Sequence, residues 1–469
     1  MTPAANRWLI DNLFLLARFQ FAPGAVRALR DGRIEPMPWV RAVATRGPAI
    51  VIPDDVPAPF EIRDNWTVPF NGTEVTLWHR LPAPGPEWAA LPDEQVPLWW
   101  RHPTGTLLPA WNVWAVLGDL LGFRDDREIA ARDGHGRLPA EDTPRHRRGL
   151  LDVPAVNEAN AILLDAALSL AAGAAPRRSL PAGAVTPPGV ALSHDCDQLR
   201  GNDFYTQGVR AYRLGRAAVS LRARSSWRNA RGLIENALRP RRYYFGNMLG
   251  MLDLERQFGF RSVSYMLNGT GGRFGARSGS AIAREYLRGL VPGWEAGMHY
   301  NHDTFGDAVR FEAQKRELQP LVDGGIVSGR AHYLRFDPLV SPAFVAGHGI
   351  RLDESLGWAE RLAYRGGIAG PFRPMDPDGT RPLDLLELPL VFTDTPLIEA
   401  RAAGRFERMF GHLQRIGGMA TILFHPGVFD NPEQPEADGL YFEILRAARQ
   451  AGSRSWTPGE ILAVADESP

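Results

Sequence analysis

The sequence has little of several features that mark particular classes of protein. It contains one cysteine, Cys196, in 469 residues, which excludes an internal disulfide and a zinc site built from several cysteines. Its 53 basic and 53 acidic residues cancel, so the overall charge does not favour nucleic acid or an anionic membrane as a partner. All the basic residues except Lys315 are arginines.

Long apolar runs are also missing. The most apolar segment, Ala161 to Ala175, is interrupted by Asp165 and Ser169 and is shorter than the roughly 18–20 residues that a membrane span needs. The N-terminus does not have the pattern of a signal peptide, because Asp11 and Arg18 interrupt its apolar stretch. We therefore expect a cytoplasmic protein without a membrane span.

The composition is that of a folded protein with more than one domain. Hydrophobic residues make up 44% and charged residues 23%, which excludes a largely disordered chain. The segment Pro176 to Val190 contains four prolines and two glycines and is typical of a linker. We therefore predict an N-terminal α+β domain at 1–185, with no function indicated by its sequence, and a second domain at 186–469.

The second domain alternates strand-like and helix-like segments, which indicates an α/β fold with a parallel sheet, open or closed into a barrel. Helical spacing of apolar residues occurs at Phe311 to Leu321 and at Tyr441 to Ala451. The strand-like segments begin at Val190 and continue with Ser262 to Asn268, Trp294 to His302, Gly329 to Asp337, Leu385 to Thr395 and Met419 to Gly427.

An arginine-rich insert separates the first two of these strands. Between Gln207 and Arg242 there are ten arginines and one acid, Glu235. The insert could bind an anionic polymer or lipid surface. We favour a solvated helical face in an arginine-biased protein, and a nucleic-acid binder is the weaker alternative, which predicts strongly salt-dependent binding.

Acidic and imidazole side chains follow two of the predicted strands. Asp195 and Asp197 are spaced i and i+2 at the end of the first strand, so they point the same way and favour a cation beside them. His299, His302 and Asp303 follow another strand end, and imidazole with carboxylate suits zinc or a similar first-row metal.

Two further strand ends carry Arg330 with His332, and His425. Each motif alone has an ordinary explanation: an Asp-x-Asp pair can be a turn, His332 can simply pack, and Arg330 can be a surface ion pair. Their shared position at strand ends, where catalytic groups of parallel barrels gather, favours a divalent-metal hydrolase.

These motifs, in this order, resemble the polysaccharide deacetylase family, the carbohydrate esterases similar to chitooligosaccharide deacetylase. The resemblance covers about Gly189 to Glu467 and implies a distorted (β/α) barrel of about seven strands. The segment Asp126 to Pro154 is similar to an uncharacterised domain that precedes such barrels in some bacterial proteins. The motifs that carry the likeness are SHDCD at 193–197, the strand at 262–268, GMHYNHD at 297–303, RAHY at 330–333 and LFHPG at 423–427.

The resemblance implies a role for each matching residue. Asp195 matches the general base, and Arg330 matches the arginine that holds it. Tyr333 matches the tyrosine whose backbone N–H stabilises the oxyanion, with His332 at the place of a proline. His425 matches the general acid.

The same resemblance implies one divalent metal, with zinc expected and cobalt or nickel as alternatives. Asp197 and His299 match its first two ligands. The second metal histidine of the family lies four residues after the first, a place that Asp303 holds here, while His302 lies one residue earlier. Either residue could complete the site.

The assignments of four further residues are open. Asp394 and Glu387 are both candidates for the carboxylate that orients His425. Asp353 and Arg365 could line the cleft or form a structural ion pair. Cys196 should point away from the two aspartates into the packing, without a chemical role.

The expected reaction is hydrolysis of an N-acetyl or O-acetyl group on an amino sugar or a bacterial surface polysaccharide. An acetylated carbohydrate is then the substrate, and we expect no nucleic-acid partner. The alternative is a degenerate barrel that binds carbohydrate, or scaffolds a synthesis complex, without turnover. The irregular arrangement of His302 and Asp303 keeps that alternative open.

Overall fold

The computed structural model describes most of the chain. The described residues are 2–91, 97–197, 204–219, 226–227, 230–231, 233–234, 244–269, 279–290, 292–400, 404–429 and 436–467. They form a mixed α/β structure with two small sheets in the N-terminal part and one large parallel sheet after it.

The N-terminal part begins with the helix Pro3–Gln20, which the Thr2 hydroxyl caps by accepting a hydrogen bond from the Ala5 amide at 3.2 Å. Its strands are β1 Ile34–Met37, β2 Ile50–Pro53, β3 Asn65–Phe70, β4 Thr73–Trp78, β5 Ala89–Leu91, β6 Trp99–Arg101 and β7 Leu107–Pro109. Strands β3 and β4 pair alone, and the other five form one sheet in the order β1-β2-β7-β6-β5. Its other helices are Pro23–Asp31, Trp39–Ala44, Val113–Leu121, Arg124–Glu128, Pro144–Arg147 and Ala155–Ala171.

The second part is built on an eight-stranded parallel sheet that curls into a half-barrel. Its strands are β8 Gly189–Cys196, β9 Ser262–Met266, β10 Glu295–Tyr300, β11 Ser328–Ala331, β12 Leu352–Asp353, β13 Leu386–Glu387, β14 Phe392–Thr393 and β15 Met419–Leu423. Their order is β13-β12-β11-β10-β9-β8-β15-β14, and every pair is parallel. Its helices are Phe204–Val219, Tyr244–Phe258, Gly279–Arg288, Ala308–Leu318, Ser341–Gly347, Asp394–Ala400, Arg405–Ile416, Ala437–Gln450 and Pro458–Asp466.

The α/β class and the parallel sheet are confirmed, but the described residues give the sheet eight strands rather than about seven. Strand β12 has only two residues, too few to produce a period that the sequence could reveal. The segment Leu385 to Thr395, which we predicted as one strand, contains both β13 and β14, which lie at opposite edges of the sheet. Pro389 lies between β13 and β14, and Pro426 follows β15.

The predicted boundary near residue 185 separates the two small sheets from the large one, and side chains pack across it. One hydrophobic cluster contains Leu16, Trp114 and Ile162 from the N-terminal part together with Phe372 and Ile416 from the second part. Whether the two parts fold as independent domains stays a prediction.

Polar contacts also join the two parts. Asn157, on the helix Ala155–Ala171, is completely buried. Its amide donates to the carbonyl oxygens of Ala369 and Gly417, and its own oxygen accepts from the Ala369 amide at 2.8 Å. Buried backbone groups need partners. The Asn157 side chain therefore fixes the position of the N-terminal part against the segment that leads into β15.

Among the described residues, no helix has the length and apolar character that crossing a bilayer requires. Of the arginine-rich insert, the helix Phe204–Val219 is described and most of the remainder lies outside the described residues. In that helix Tyr212, Arg213 and Arg216 are exposed. The interpretation of the insert as a solvated face stays a prediction.

We predict that Asn157→Ala lowers the free energy of unfolding by about 1–3 kcal/mol, since it leaves buried backbone groups of Ala369 and Gly417 without their partner. Chemical denaturation of the full chain measures the effect. Asn65→Ala, at an exposed position of β3, is the control and should change stability by less than about 0.5 kcal/mol. Equal stability of the two variants would contradict the role of Asn157.

Candidate metal centre

The residues singled out in the sequence meet at the carboxyl edge of the parallel sheet. Asp195 lies at the end of β8, His299 in β10 and Arg330 in β11, while His425 follows β15 by two residues. In the sheet order, β10 and β11 lie on one side of β8 and β15 lies on the other. Because parallel strands end at the same edge, residues more than 100 positions apart come into contact there.

Three side chains at this edge form a group suited to a metal ion. His299 Nε2 lies 3.1 Å from Asp197 Oδ1, and His332 Nε2 lies 3.6 Å from the same oxygen. One ligand atom from each of Asp197, His299 and His332 can be chosen so that all lie within 4.8 Å of one another. A carboxylate and two imidazoles are the ligands of many catalytic zinc sites.

Hydrogen bonding supports the fit of a cation to this group. Asp197 Oδ1 is buried and makes no hydrogen bond to any described residue. His299 Nδ1 lies 2.9 Å from the Arg330 carbonyl oxygen, and donation from Nδ1 to this oxygen would leave Nε2, which faces Asp197, with the lone pair that a metal ligand needs. Burial lowers the pKa of His332 to about 4, so this imidazole is neutral at neutral pH, as a ligand must be.

The structure does not bring His302 and Asp303 into this group. The strand β10 ends at Tyr300, and both residues stand in the short 3-10 turn His302–Thr304 that follows. His302 Nε2 lies 3.3 Å from His135 Nδ1, and Asp303 forms an ion pair with Arg310 at 3.2 Å. The third member of the group is His332, rather than either of these two residues.

Asp195 is held by a buried guanidinium. Arg330 Nη1 donates to Asp195 Oδ1 at 2.8 Å, and Nη2 donates to Ser193 Oγ at 2.7 Å and to a carboxylate oxygen of Glu354. Arg330 is completely buried. Its guanidinium also lies over the Tyr265 ring, 4.9 Å from the ring centroid. The opposite oxygen of Asp195, Oδ2, lies 3.7 Å from His299 Nε2. It faces the group formed by Asp197, His299 and His332, which we call the metal group.

The charges around Asp195 favour its ionised form. Burial alone would raise the pKa of this carboxyl, but Arg330 and the nearby histidines hold it below its usual value. The pKa of Asp197 is likewise lowered, because its contacts with His299 and His332 outweigh burial. Both carboxylates therefore remain charged at neutral pH.

Glu354, which the sequence did not single out, completes the pairing of Arg330. Its side chain is buried, and burial outweighs the attraction of Arg330, so that its pKa rises to about 7. One guanidinium thus lies between two carboxyl groups, of which Asp195 is the more acidic. Glu354 directly follows β12, and no local motif marks it. Its role is therefore visible only from its contact with Arg330 in the fold.

On the other side of Asp195 lies His425. His425 Nε2 is 3.9 Å from Asp195 Oδ2 and 3.9 Å from Asp197 Oδ2. Asp394 Oδ2 lies 2.8 Å from both the backbone nitrogen and Nδ1 of His425. Burial opposes protonation, but the Asp394 carboxylate raises the pKa of His425 to about 10. The imidazole is about one third exposed, so solvent and substrate can reach it.

Of the two carboxylates that we considered for orienting His425, Asp394 makes the contact. Glu387 is buried in β13 and accepts a hydrogen bond from the Leu356 amide at 3.0 Å. Asp353 and Arg365 do not pair with one another: Asp353 accepts from the Ser355 amide at 2.7 Å, and Arg365 pairs with Asp126. Asp353 and Arg365 are buried, at 0% and 5% exposure, and serve the packing between segments.

The N-terminal part reaches the site through one short turn. Arg137 Nη1 donates to the Tyr333 carbonyl oxygen at 2.6 Å, and the His135 ring stacks on the Tyr333 ring with centroids 4.7 Å apart. Tyr333 has a φ of 60°, which is unfavourable for a residue with a Cβ and needs such support. These two contacts were not foreseen, although both residues belong to the segment similar to the uncharacterised N-terminal domain.

Cys196 is 1% exposed, its sulfur lies 3.8 Å from the His194 carbonyl oxygen, and it packs with Met248 and Met266. His194 is buried as well. Its Nε2 contacts Glu255 at 2.7 Å, and its Nδ1 lies 2.8 Å from the Phe424 carbonyl oxygen. Both residues belong to the interior, on the side of β8 away from the metal group.

Comparison with known proteins leaves the family open. No family model and no curated protein matches the sequence. A Bordetella bronchiseptica structure described as a proposed polysaccharide deacetylase of O-antigen biosynthesis is 18% identical, covers 47% of this chain and 79% of its own, and gives a TM-score of 0.28. An allantoinase structure is 10% identical, covers 59% of this chain and 90% of its own, and gives 0.35. TM-scores this low do not establish a shared fold, so the candidate site depends on its own geometry.

We predict that His332→Ala raises the dissociation constant for zinc at least about 100-fold, as expected when a ligand or its support is removed. His302→Ala, an equivalent change at the other candidate, should leave the constant unchanged. Titration with zinc against a coloured chelator measures both. Normal zinc binding by His332→Ala together with weak binding by His302→Ala would restore the assignment made from the sequence.

Proposed function

We propose that the protein is a divalent-metal-dependent hydrolase that removes acetyl groups from an acetylated carbohydrate, with an N-acetyl amino sugar as the preferred substrate and an O-acetyl sugar as the alternative. The observation that carries the proposal is the arrangement of Asp195 and His425 beside the metal group. They offer a base and an acid, 3.9 Å apart, next to three potential ligands. The carbohydrate rests on the resemblance of the sequence motifs.

The proposed ligands are Asp197, His299 and His332, and this donor set suits zinc, with cobalt or nickel as alternatives. A bound divalent metal would polarise the acyl carbonyl and lower the pKa of a bound water. The contact of His299 Nδ1 with the Arg330 carbonyl oxygen fixes the orientation of the imidazole. The ring would therefore not need to rotate when a metal binds to Nε2.

Asp195 is suited to act as the general base. Oδ1 is held by Arg330, which leaves Oδ2 to accept the proton of the attacking water. The lowered pKa of Asp195 ensures that it is ionised before the reaction, and burial strengthens its interaction with the developing charge. Arg330 is a positioning residue here, since it acts through Asp195.

His425 is suited to act as the general acid. Asp394 contacts Nδ1, which leaves Nε2 directed to the two aspartates and to the space where a leaving group would lie. Its raised pKa keeps the ring protonated at neutral pH, so it can deliver a proton to the departing amine. The backbone N–H of Tyr333 is the proposed oxyanion donor, a role that rests on the resemblance.

We predict that Asp195→Asn lowers kcat for acetate release by about 10²–10⁴-fold, because the base is lost, while zinc content is unchanged. Acetylated chitooligosaccharides are the substrate, and circular dichroism melting checks that the variant folds. Full activity in Asp195→Asn would contradict the assignment of the base.

Removal of the metal gives the matching test of the wild-type protein. Dialysis against a chelator should abolish acetate release, and added zinc should restore it. If the wild-type protein binds zinc and acetylated chitooligosaccharide but releases no acetate from any acetylated sugar, the proposal fails. The carbohydrate-binding or scaffolding alternative would then stand.

We predict that Asp394→Asn lowers kcat by about 100-fold and moves the alkaline limb of the pH–rate profile to lower pH, because the carboxylate that raises the pKa of His425 is gone. His425 must be protonated to act as the acid. When its pKa falls, the ring loses its proton at a lower pH, and activity therefore ends at a lower pH. Asp384→Asn, at an exposed position, is the control. An unshifted limb in Asp394→Asn would exclude His425 as the acid.

A further inference from the structure

A tight turn of the N-terminal part, at residues 133–137, lies against the segment that carries His332. The Asp133 amide donates to the Arg137 carbonyl oxygen at 2.8 Å, and the Gly136 amide donates to the Asp133 carbonyl oxygen at 3.0 Å. Asp133 Oδ1 also accepts from the amides of His135 and Arg137, at 2.8 and 3.0 Å. The turn therefore keeps its shape through hydrogen bonds within itself.

The residues that follow the turn fix it to the second part of the chain. Leu138 and Ala140 are buried in a hydrophobic cluster with Trp358 and Ala363, which lie between β12 and β13. The Ala140 amide also donates to the Glu360 side chain at 3.3 Å. Because these contacts join the two parts, the turn has a defined position beside the loops at the carboxyl edge of the large sheet.

Arg137 connects the turn to the backbone of the second part. Its Nε and Nη2 donate to Asp133 Oδ2 at 2.8 and 2.6 Å, and its Nη1 donates to the Tyr333 carbonyl oxygen at 2.6 Å. Tyr333 and Leu334 have positive φ angles of 60° and 50°, which are unfavourable for residues with a Cβ and persist only where other contacts hold them. The guanidinium thus bonds to the peptide group that joins two strained residues.

Aromatic contacts continue from the turn to the metal group. The His135 ring stacks on the Tyr333 ring, with centroids 4.7 Å apart and planes 9° apart. The Tyr333 ring in turn lies 4.3 Å from the His332 ring, with an angle of 30° between the planes. His332 Nε2 lies 3.6 Å from Asp197 Oδ1. A continuous series of three rings therefore leads from the N-terminal part to a proposed metal ligand.

The two histidines of the metal group are held in different ways. His299 Nδ1 lies 2.9 Å from the Arg330 carbonyl oxygen, a contact of the kind that usually orients a ligand imidazole. His332 Nδ1 is buried and has no hydrogen-bond partner among the described residues. The orientation of His332 therefore depends on packing, and the rings of Tyr333 and His299 lie against it, with centroids 4.3 and 5.0 Å away.

We propose that the turn at 133–137 is part of the metal site. Arg137 holds the backbone of Tyr333, His135 holds its ring, and together they keep His332 where it can bind the metal. Both are positioning residues, since they act through Tyr333. The inference rests on the proposed function for the use of the metal group, and it makes metal affinity, as well as turnover, dependent on the N-terminal part.

The first test measures zinc affinity in the full-length protein. Arg137→Ala removes the hydrogen bond to Tyr333 and should raise the dissociation constant for zinc about 10-fold or more, as expected when the support of a ligand is lost. Arg137→Lys can still donate to the Tyr333 carbonyl oxygen and should recover part of the affinity. Arg132→Ala is the matched control, because the Arg132 guanidinium donates to backbone oxygens of its own segment. Unchanged zinc affinity in Arg137→Ala would overturn the inference.

A double substitution separates an effect through His332 from a general loss of stability. If Arg137 acts through His332, adding Arg137→Ala to His332→Ala should change the dissociation constant for zinc by less than about twofold. A merely structural role would weaken zinc binding by the same factor with or without His332. Additive effects of the two substitutions would therefore overturn the inference.

His135 provides a milder variant that keeps the test open if Arg137→Ala does not fold. His135→Ala removes one stacking contact and should raise the dissociation constant for zinc by about 2–10-fold. His135→Phe keeps a ring that can stack on Tyr333 and should restore the affinity. Equally weak binding by His135→Ala and His135→Phe would contradict the stacking role of His135.

Cobalt in place of zinc reports the geometry of the ligands without turnover. The visible absorption of cobalt-loaded Arg137→Ala should differ from that of the wild-type protein, because one ligand has moved, while Arg132→Ala should match the wild type. A changed spectrum and weaker zinc binding would support the inference even if the wild-type protein releases no acetate and the proposed function fails. Acetate release by the wild type, with normal zinc affinity and an unchanged spectrum in Arg137→Ala, would overturn the inference and leave the proposed function intact.

Discussion

The buried guanidinium of Arg330 is the interaction on which the rest of the candidate site depends. It bonds to Ser193 and Asp195 on β8 and to Glu354 after β12, and so ties three segments of the sheet together. Its own backbone carbonyl lies within hydrogen-bonding distance of His299 Nδ1. A buried charge is costly unless it is fully paired, so its two carboxylate partners are also a condition for the fold. Orienting the proposed base and fixing a proposed ligand are consequences of the same pairing.

This arrangement separates the roles of chemically similar groups. Asp195 and Asp197 are spaced by one residue, yet one is held by Arg330 and the other is left with an oxygen that faces two imidazoles. Among the histidines, burial keeps His332 neutral, whereas the Asp394 carboxylate favours the protonated form of His425. The site therefore places a neutral imidazole, the proposed ligand, beside a protonated one, the proposed acid, which is the combination that a metal-assisted hydrolysis requires.

The sequence was sufficient to predict features that depend on local pattern. The alternation of strands and helices predicted a parallel α/β sheet, and side chains at strand ends pointed to one edge of it. It named His302 and Asp303 as alternative ligands, whereas the group of three in the structure contains His332, for which the sequence indicated no ligand role. The partners Glu354 and Arg137 depend on contacts between distant segments, and no local spacing encodes such contacts.

The most direct test of the central claim is a crystal structure of the protein grown with zinc, with anomalous diffraction recorded at the zinc edge. The account predicts one strong peak at ~2.0–2.2 Å from Asp197 Oδ1, His299 Nε2 and His332 Nε2, with an open position facing Asp195 and His425. A peak bound by His302 or Asp303 instead, or no peak at this edge of the sheet, would contradict it.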